Sequence, residues 1–224
     1  MNYSSYKVVE NLRVCIKEVY SFSFCRLQVV GHILTAKERR KKKTFFLFCC
    51  SRSAGRFSRH STINDIIRRS LATAHVPAVL EPIGLARSDG KRPDGMTIIP
   101  WRLGRSLLWD ATCVDTLAAS HQATSSMVGA AATSAEQTKR RKYENLDSSF
   151  IFVPFGVETL GPWGPEARAL FKELSKRVIE STGDPRAGSY LGQRISLAIQ
   201  RGNTASILGT VPRCGGFEDV LDII

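Results

Sequence analysis

The sequence lacks the features that most readily identify a protein's class. It contains no CxxC pair and no paired Cys/His spacing of the zinc-knuckle kind, which argues against the common structural zinc sites. Six cysteines in 224 residues do not make a disulfide scaffold, so a reducing compartment is expected. No run reaches the roughly 18 apolar residues of a membrane-spanning helix. The stretch Val19–Leu34 is broken by Arg26, and Phe45–Cys50 is far too short, so no membrane partner is expected. A basic start followed by one clean apolar stretch, the pattern of a cleavable secretory signal, is also missing. Nothing repeats internally. Acidic residues are scarce, with 20 Asp and Glu against 32 Lys and Arg, and the net charge of +12 points to a polyanionic partner. What the chain does have is 43% hydrophobic and 23% charged residues, enough for a sizeable core and too apolar for wholesale disorder. Its length allows one full domain with a tail or cap.

The charge is unevenly spread. Residues 1–58 hold twelve Lys and Arg against Glu10, Glu18 and Glu38, a net of +9. Residues 59–224 hold twenty against seventeen acids, a net of only +3. Cys15, Cys25, Cys49 and Cys50 fall in the same leading part. Residues 1–55 have no sustained period of 3.6 or 2, and the basic run Lys37–Lys43 is interrupted only by Glu38. Such a run reads as a nuclear localisation signal or phosphate-binding patch, or as a solvated linker. A third reading is that TFFLFCCSR is the translation of a pyrimidine-rich tract ahead of a splice site. The segment is then a disordered or non-native leader.

Regular patterns begin near Arg56. Ser61 or Thr62 suits the cap of a helix whose apolar face is Ile63, Ile66, Ile67 and Leu71, ending near Ala74–His75 because Pro77 blocks continuation. Val76–Pro82 reads as a short strand and Met96–Ile99 as a second. A turn-rich connection with Asp89-Gly90 at its tip joins them. Ser106–Val114 is a third strand. A polar helix is expected over about 125–146, then a fourth strand over Ser149–Val157. Pro165 opens a helix that Gly183-Asp184-Pro185 breaks, and a last helix covers about Gly188–Ile207. The order is α-β-β-β-α-β followed by two helices.

Three acids fall on the three successive strands. Glu81 ends the first, Asp94 opens the second, and Asp110 lies within the third. A meander brings such positions to one sheet edge, where clustered carboxylates repel each other and a divalent cation relieves the repulsion. Mg²⁺ suits this best, because it takes one or two carboxylates and keeps waters and substrate phosphate oxygens as its other ligands. A bound metal lowers the pKa of a water and neutralises charge on a phosphodiester under attack, and a nearby lysine stabilises that charge.

The strings Arg92-Pro93-Asp94-Gly95 and Trp109-Asp110-Ala111-Thr112, on this order of elements, resemble the PD-(D/E)xK nuclease superfamily. More narrowly, the chain resembles the restriction-like endonuclease of non-LTR retrotransposon reverse transcriptases, as a fragment. The elements that carry the likeness are Arg59-His60, Glu81-Pro82, Lys91–Asp94, Asp110–Thr112 and Lys139–Tyr143, within about residues 56–160. The resemblance implies an α/β fold, a restriction-endonuclease-like αβββαβ core with a mixed sheet and two extra C-terminal helices. It implies a nuclear, Mg²⁺-dependent endonuclease that nicks target DNA, with RNA as a further partner only through a reverse transcriptase, and no small-molecule cofactor. Asp94, Asp110 and Glu81 are then the metal ligands, and Arg59, His60, Lys91 and Arg92 contact nucleic acid. Thr112 stands where the superfamily motif has lysine, so the catalytic lysine falls to Lys139 or Lys142 of the following helix. Residues 161–211 read as a helical C-terminal extension and 212–224 as a frayed tail.

Plainer readings stand beside these. Asp94 is then a turn acid, Asp110 a strand acid in an ion pair, Glu81 a solvated strand end, and His60 a surface or capping residue. The run Lys139–Lys142 is a solvated helix face, and Trp101, Trp109 and Trp163 serve packing. The chain is then a catalytically dead nucleic-acid-binding remnant of the same fold, or a structural domain.

Overall fold

The structure, a computed structural model, describes residues 54–85, 92–115 and 127–208. Among them the elements are α1 (Ala54–Thr73), β1 (Ala78–Leu80), β2 (Gly95–Thr97), β3 (Ser106–Val114), α2 (Ala130–Lys142), β4 (Phe150–Glu158), α3 (Pro165–Thr182) and α4 (Ala187–Leu208). The protein is a mixed α/β fold whose order of elements is the one expected from the sequence. Asp89-Gly90 and residues 1–53 lie outside the described residues, as do 209–224.

The four strands form one mixed sheet in the order β1-β2-β3-β4, antiparallel except for the parallel β3–β4 pair. A parallel pair needs a crossover, and α2 supplies it. Pro154, which has no N–H to donate, is tolerated because β4 is an edge strand. Strand β3 is buried over residues 107–111, with Leu107, Leu108 and Trp109 fully covered. That burial on both faces explains why its sequence reads as a continuous apolar run rather than an alternating one.

Helix α1 ends at Thr73, next to the boundary set by Pro77, with His75 at φ 58° turning the chain out. Its beginning differs from expectation. The helix already includes Ala54, so Ser61 and Thr62 are exposed interior residues, and Ser61 Oγ donates to the Phe57 carbonyl at 3.0 Å. The apolar stripe starts only at Ile63 because the preceding turns bury Gly55 and Arg59 instead. Hydrophobic periodicity cannot register such turns. Helix α2 is shorter than expected, entered through Gly129 at φ 78° and left at Tyr143.

The larger core joins Ile63, Ile67 and Leu71 of α1 to Trp109 and Phe155 of the sheet, Leu170 and Leu174 of α3, and Ile195 and Ile199 of α4. The division expected at residues 160/161 therefore has no counterpart in the packing. Helices α3 and α4 share one core with α1 and the sheet, across that boundary. All three tryptophans pack: Trp109 is fully buried, Trp163 meets Phe155 and Phe171 edge-on, and the Arg177 guanidinium lies 3.6 Å from the Trp101 ring centroid.

Candidate active site

The β2–β3 register fixes where the acids meet. Gly95 pairs with Trp109 and Met96 with Leu108, so Asp94 stands across from Asp110 on the neighbouring strand. The Asp94 N–H donates to the Trp109 carbonyl at 3.0 Å, and the Asp94 carbonyl accepts from the Glu81 N–H at 2.8 Å. Gly95 is required here. A Cβ at that position would come within 2.1 Å of the Trp109 ring, so only glycine lets β2 lie against the indole. Two like charges facing each other across a ladder are destabilising unless each finds compensation.

Each does. Asp94 Oδ2 accepts from the Ala111 N–H at 2.7 Å and lies 2.9 Å from Nε2 of the half-buried His60. Lys139 Nζ reaches from α2 to donate to Asp110 Oδ1 at 2.6 Å. The Tyr143 hydroxyl, one turn further on, also hydrogen-bonds Asp110. Asn64 sits one turn beyond His60, with its Nδ2 3.5 Å from His60 Nε2. Asn64 Oδ1 accepts from Trp109 Nε1 at 3.0 Å. The result is a row of His60, Asp94, Asp110 and Lys139 gathered from α1, the start of β2, β3 and α2.

The electrostatics separate the two acids. Burial pushes Asp94 up, but the His60 hydrogen bond and charge, with the Ala111 N–H, outweigh it and hold the carboxyl below its ordinary value. Asp110 is held above its ordinary value, first by burial and then by the charge of Asp94, which Lys139 only partly offsets. His60 is raised, mainly through its hydrogen bond to Asp94 and against the effect of burial. Asp94 is therefore the more firmly ionised acid of the two.

The other expected site residues lie elsewhere. Glu81, at φ 49°, is exposed and pairs with Arg92, which is also exposed. Its backbone touches Asp94 while its carboxylate faces away to the arginine, so the expected three-acid cluster is a pair. Among the described residues no three His, Cys, Asp or Glu side chains gather closely enough to hold a metal ion. Two adjacent carboxylates nevertheless match what Mg²⁺ asks of a protein, since the ion keeps waters for its remaining positions. Lys142 is exposed, whereas Lys139 is the lysine held against Asp110.

The expectation for Arg59 is corrected. It is 1% exposed, with Nη1 donating to Asn203 Oδ1 at 3.0 Å and to Ser206 Oγ at 3.2 Å, and Gly202 clears the space for its stem. A guanidinium buried between α1 and α4 cannot meet a phosphate. His60, nearly two turns inside α1, is likewise not at its first turn, and faces Asp94 instead. Lys91 lies outside the described residues.

Sequence reasoning missed Asn64, for which the spacing of four from His60 was the available signal. It also missed Glu136 and Glu158, buried acids that no local pattern marks. No protein-family model matches the chain, and no curated protein matches it.

Proposed function

We propose that the chain is a restriction-like DNA endonuclease domain of retrotransposon origin, which nicks DNA by Mg²⁺-dependent phosphodiester cleavage. The observation that carries this reading is the facing pair Asp94 and Asp110 with Lys139 Nζ 2.6 Å from Asp110. Asp94 and Asp110 would hold the metal. When bound, Mg²⁺ supplies an acidified water and neutralises phosphate charge. Asp94, kept ionised by His60 and the Ala111 N–H, is the standing negative ligand. Lys139 balances Asp110 and presents an ammonium where charge develops on the phosphoryl oxygens. The resemblance implies target DNA as the substrate and the nucleus as the setting.

A plasmid-nicking assay with Mg²⁺ tests the reading. Asp94→Ala and Asp110→Ala each lower the rate by at least about a hundredfold if the acids carry the metal. Nicking that survives both substitutions sinks the assignment.

One observation favours a second reading, a non-catalytic nucleic-acid-binding remnant. Both acids already have a cation or donor, Lys139 for Asp110 and His60 for Asp94, so the pair is balanced without a metal. DNA binding without nicking selects that reading. A purely structural role predicts that Mg²⁺ leaves the melting temperature unchanged, whereas a true site is stabilised by mass action.

A further inference from the structure

Helix α4 has no Asp or Glu in its 22 residues. Its inner face is buried through Leu191, Ile195, Ala198 and Ile199. The outer face carries Tyr190, Arg194, Leu197 and Arg201, residues that helical periodicity places on one stripe. Tyr190 is 62% exposed and Leu197, two turns further along the same stripe, 53%. The Arg194 guanidinium lies 5.9 Å from the Tyr190 ring centroid, and Arg201 is exposed. Neither arginine makes an ion pair among the described residues. Two cations of the adjacent α3 are by contrast paired, Arg177 with Glu173 and Lys176 with Glu180.

The position of the stripe matters as much as its composition. The C-terminal half of α4 lies against the start of α1, where a Cβ on Gly202 would come within 2.0 Å of Arg59 Cγ. The next residue of α1 is His60, 2.9 Å from Asp94. Arg201, next to Gly202, is therefore at the end of α4 that is close to the start of α1, and Tyr190 is at the far end. Eleven residue steps separate the two, about 16 Å at about 1.5 Å per residue.

From this stripe we infer that the outer face of α4 is a track for a single-stranded nucleic acid. Arg194 and Arg201 take its phosphates, and Tyr190, with Arg194 beside its ring, takes an unpaired base. The charge is complementary because no acid on the helix opposes a polyanion. An exposed aromatic beside arginine is the stacking platform that single strands use and that paired bases cannot reach. The inference rests on the reading of the chain as a nucleic-acid-acting domain and extends it to a surface beyond the acid pair.

The test uses the full chain in EDTA, so that cleavage plays no part, with fluorescence anisotropy on a labelled 20-nucleotide strand and the matching duplex. Arg194→Glu with Arg201→Glu should weaken single-strand binding at least about tenfold and reduce the salt slope by about 1.4, the loss of two phosphate contacts. The basic run Lys37–Lys43 is present in both proteins, so it cancels in the comparison. Arg194→Lys with Arg201→Lys keeps the charge and should retain most of the affinity, which separates lost contact from lost fold. Tyr190→Ala should weaken single-strand binding about fivefold while leaving the duplex within about twofold. Unchanged affinity and slope in the charge-reversed protein overturn the inference. So does binding of polyglutamate that the reversal abolishes while nucleic-acid binding stays intact, since that assigns the face to an acidic protein. Nicking that depends on Asp94 and Asp110 but is indifferent to α4 rejects the track alone. A working track without any nicking rejects the endonuclease alone.

Discussion

Asp94 and Asp110 face one another across two strands, yet they titrate in opposite directions because their partners differ. Lys139→Met tests the partner of Asp110. With the ammonium gone, the buried carboxyl is left against the charge of Asp94 and becomes protonated at a higher pH. We expect a stability loss of about 2 kcal/mol in urea unfolding, less than for a fully buried pair because Asp110 escapes by neutralising. The nicking rate should fall with it. His60 and Asp94 make a separate, pH-dependent contribution. The folded-state pKa of His60 is raised, so its share is complete below the ordinary value of 6.5 and is lost as pH rises through the raised one. The pKa of Asp94 is lowered, so its share is present above the ordinary 3.8 and is lost as pH falls through the lowered value. Melting temperatures measured upward from pH 6 should decline across the raised His60 pKa, and His60→Gln should flatten that decline. The approach of Asp94 and Asp110 was legible in the sequence because strand order brings them to neighbouring strands. The choice between Lys139 and Lys142 was not, since helix spacing alone does not say which of the two reaches back to the sheet. Arg59 was not, because a sequence displays charge and hides burial.

At the scale of elements, two helices begin on glycines that offer no side-chain cap, Gly129 before α2 and Gly164 before α3. The missing caps come from elsewhere in the fold. Glu158 of β4 accepts from the Ala131 and Ala132 N–H groups at 3.1 and 3.2 Å. Glu136 of α2 accepts from Gly156, Glu166 and Ala167 at 3.2, 3.1 and 2.9 Å. Carboxylates at helix starts also meet the positive end of the macrodipole. Arg140 adds a second tie from α2 to α3 through Glu166, with Nε 2.7 Å from Oε1. Helix α2 is thus fixed at both neighbours, and Lys139 sits between Glu136 and Arg140. Glu136→Ala orphans two buried N–H groups and one part-buried one, and should cost about 3 kcal/mol in denaturant unfolding. Glu136→Gln keeps one carbonyl oxygen and should cost less. These caps were invisible in the sequence because the acid and the helix it serves are more than 25 residues apart. The start and stop of α3 were readable, since Pro165 and Gly183 act locally.

For the whole molecule, the core is continuous from α1 to α4, and this sets what can be removed. A chain ending at residue 160 keeps the proposed catalytic residues and loses Leu170, Leu174, Ile195 and Ile199 from the main cluster. We expect it to lack a cooperative unfolding transition by circular dichroism, whereas a chain spanning residues 54–208 should show one. The sequence suggested a boundary there because the acid-bearing elements end at β4. Function and folding need not share a boundary, and here the helices after β4 supply eight of the nineteen buried residues of the main cluster. The Arg59–Asn203–Ser206 contacts add a polar seam between the first helix and the last.

The contact of Trp109 with Gly95 has an optical consequence. This indole is fully buried, adjoins Asp110 in sequence and rests on the residue after Asp94. An excited indole is sensitive to nearby charge, so the molecule carries a spectroscopic probe next to the strand positions of its two acids. In protein with Trp101→Phe and Trp163→Phe, neutralising the acids or screening them with a divalent ion should shift the emission of the remaining tryptophan. Asp110→Asn should abolish most of that shift, giving a signal for events at the pair that requires no turnover at all.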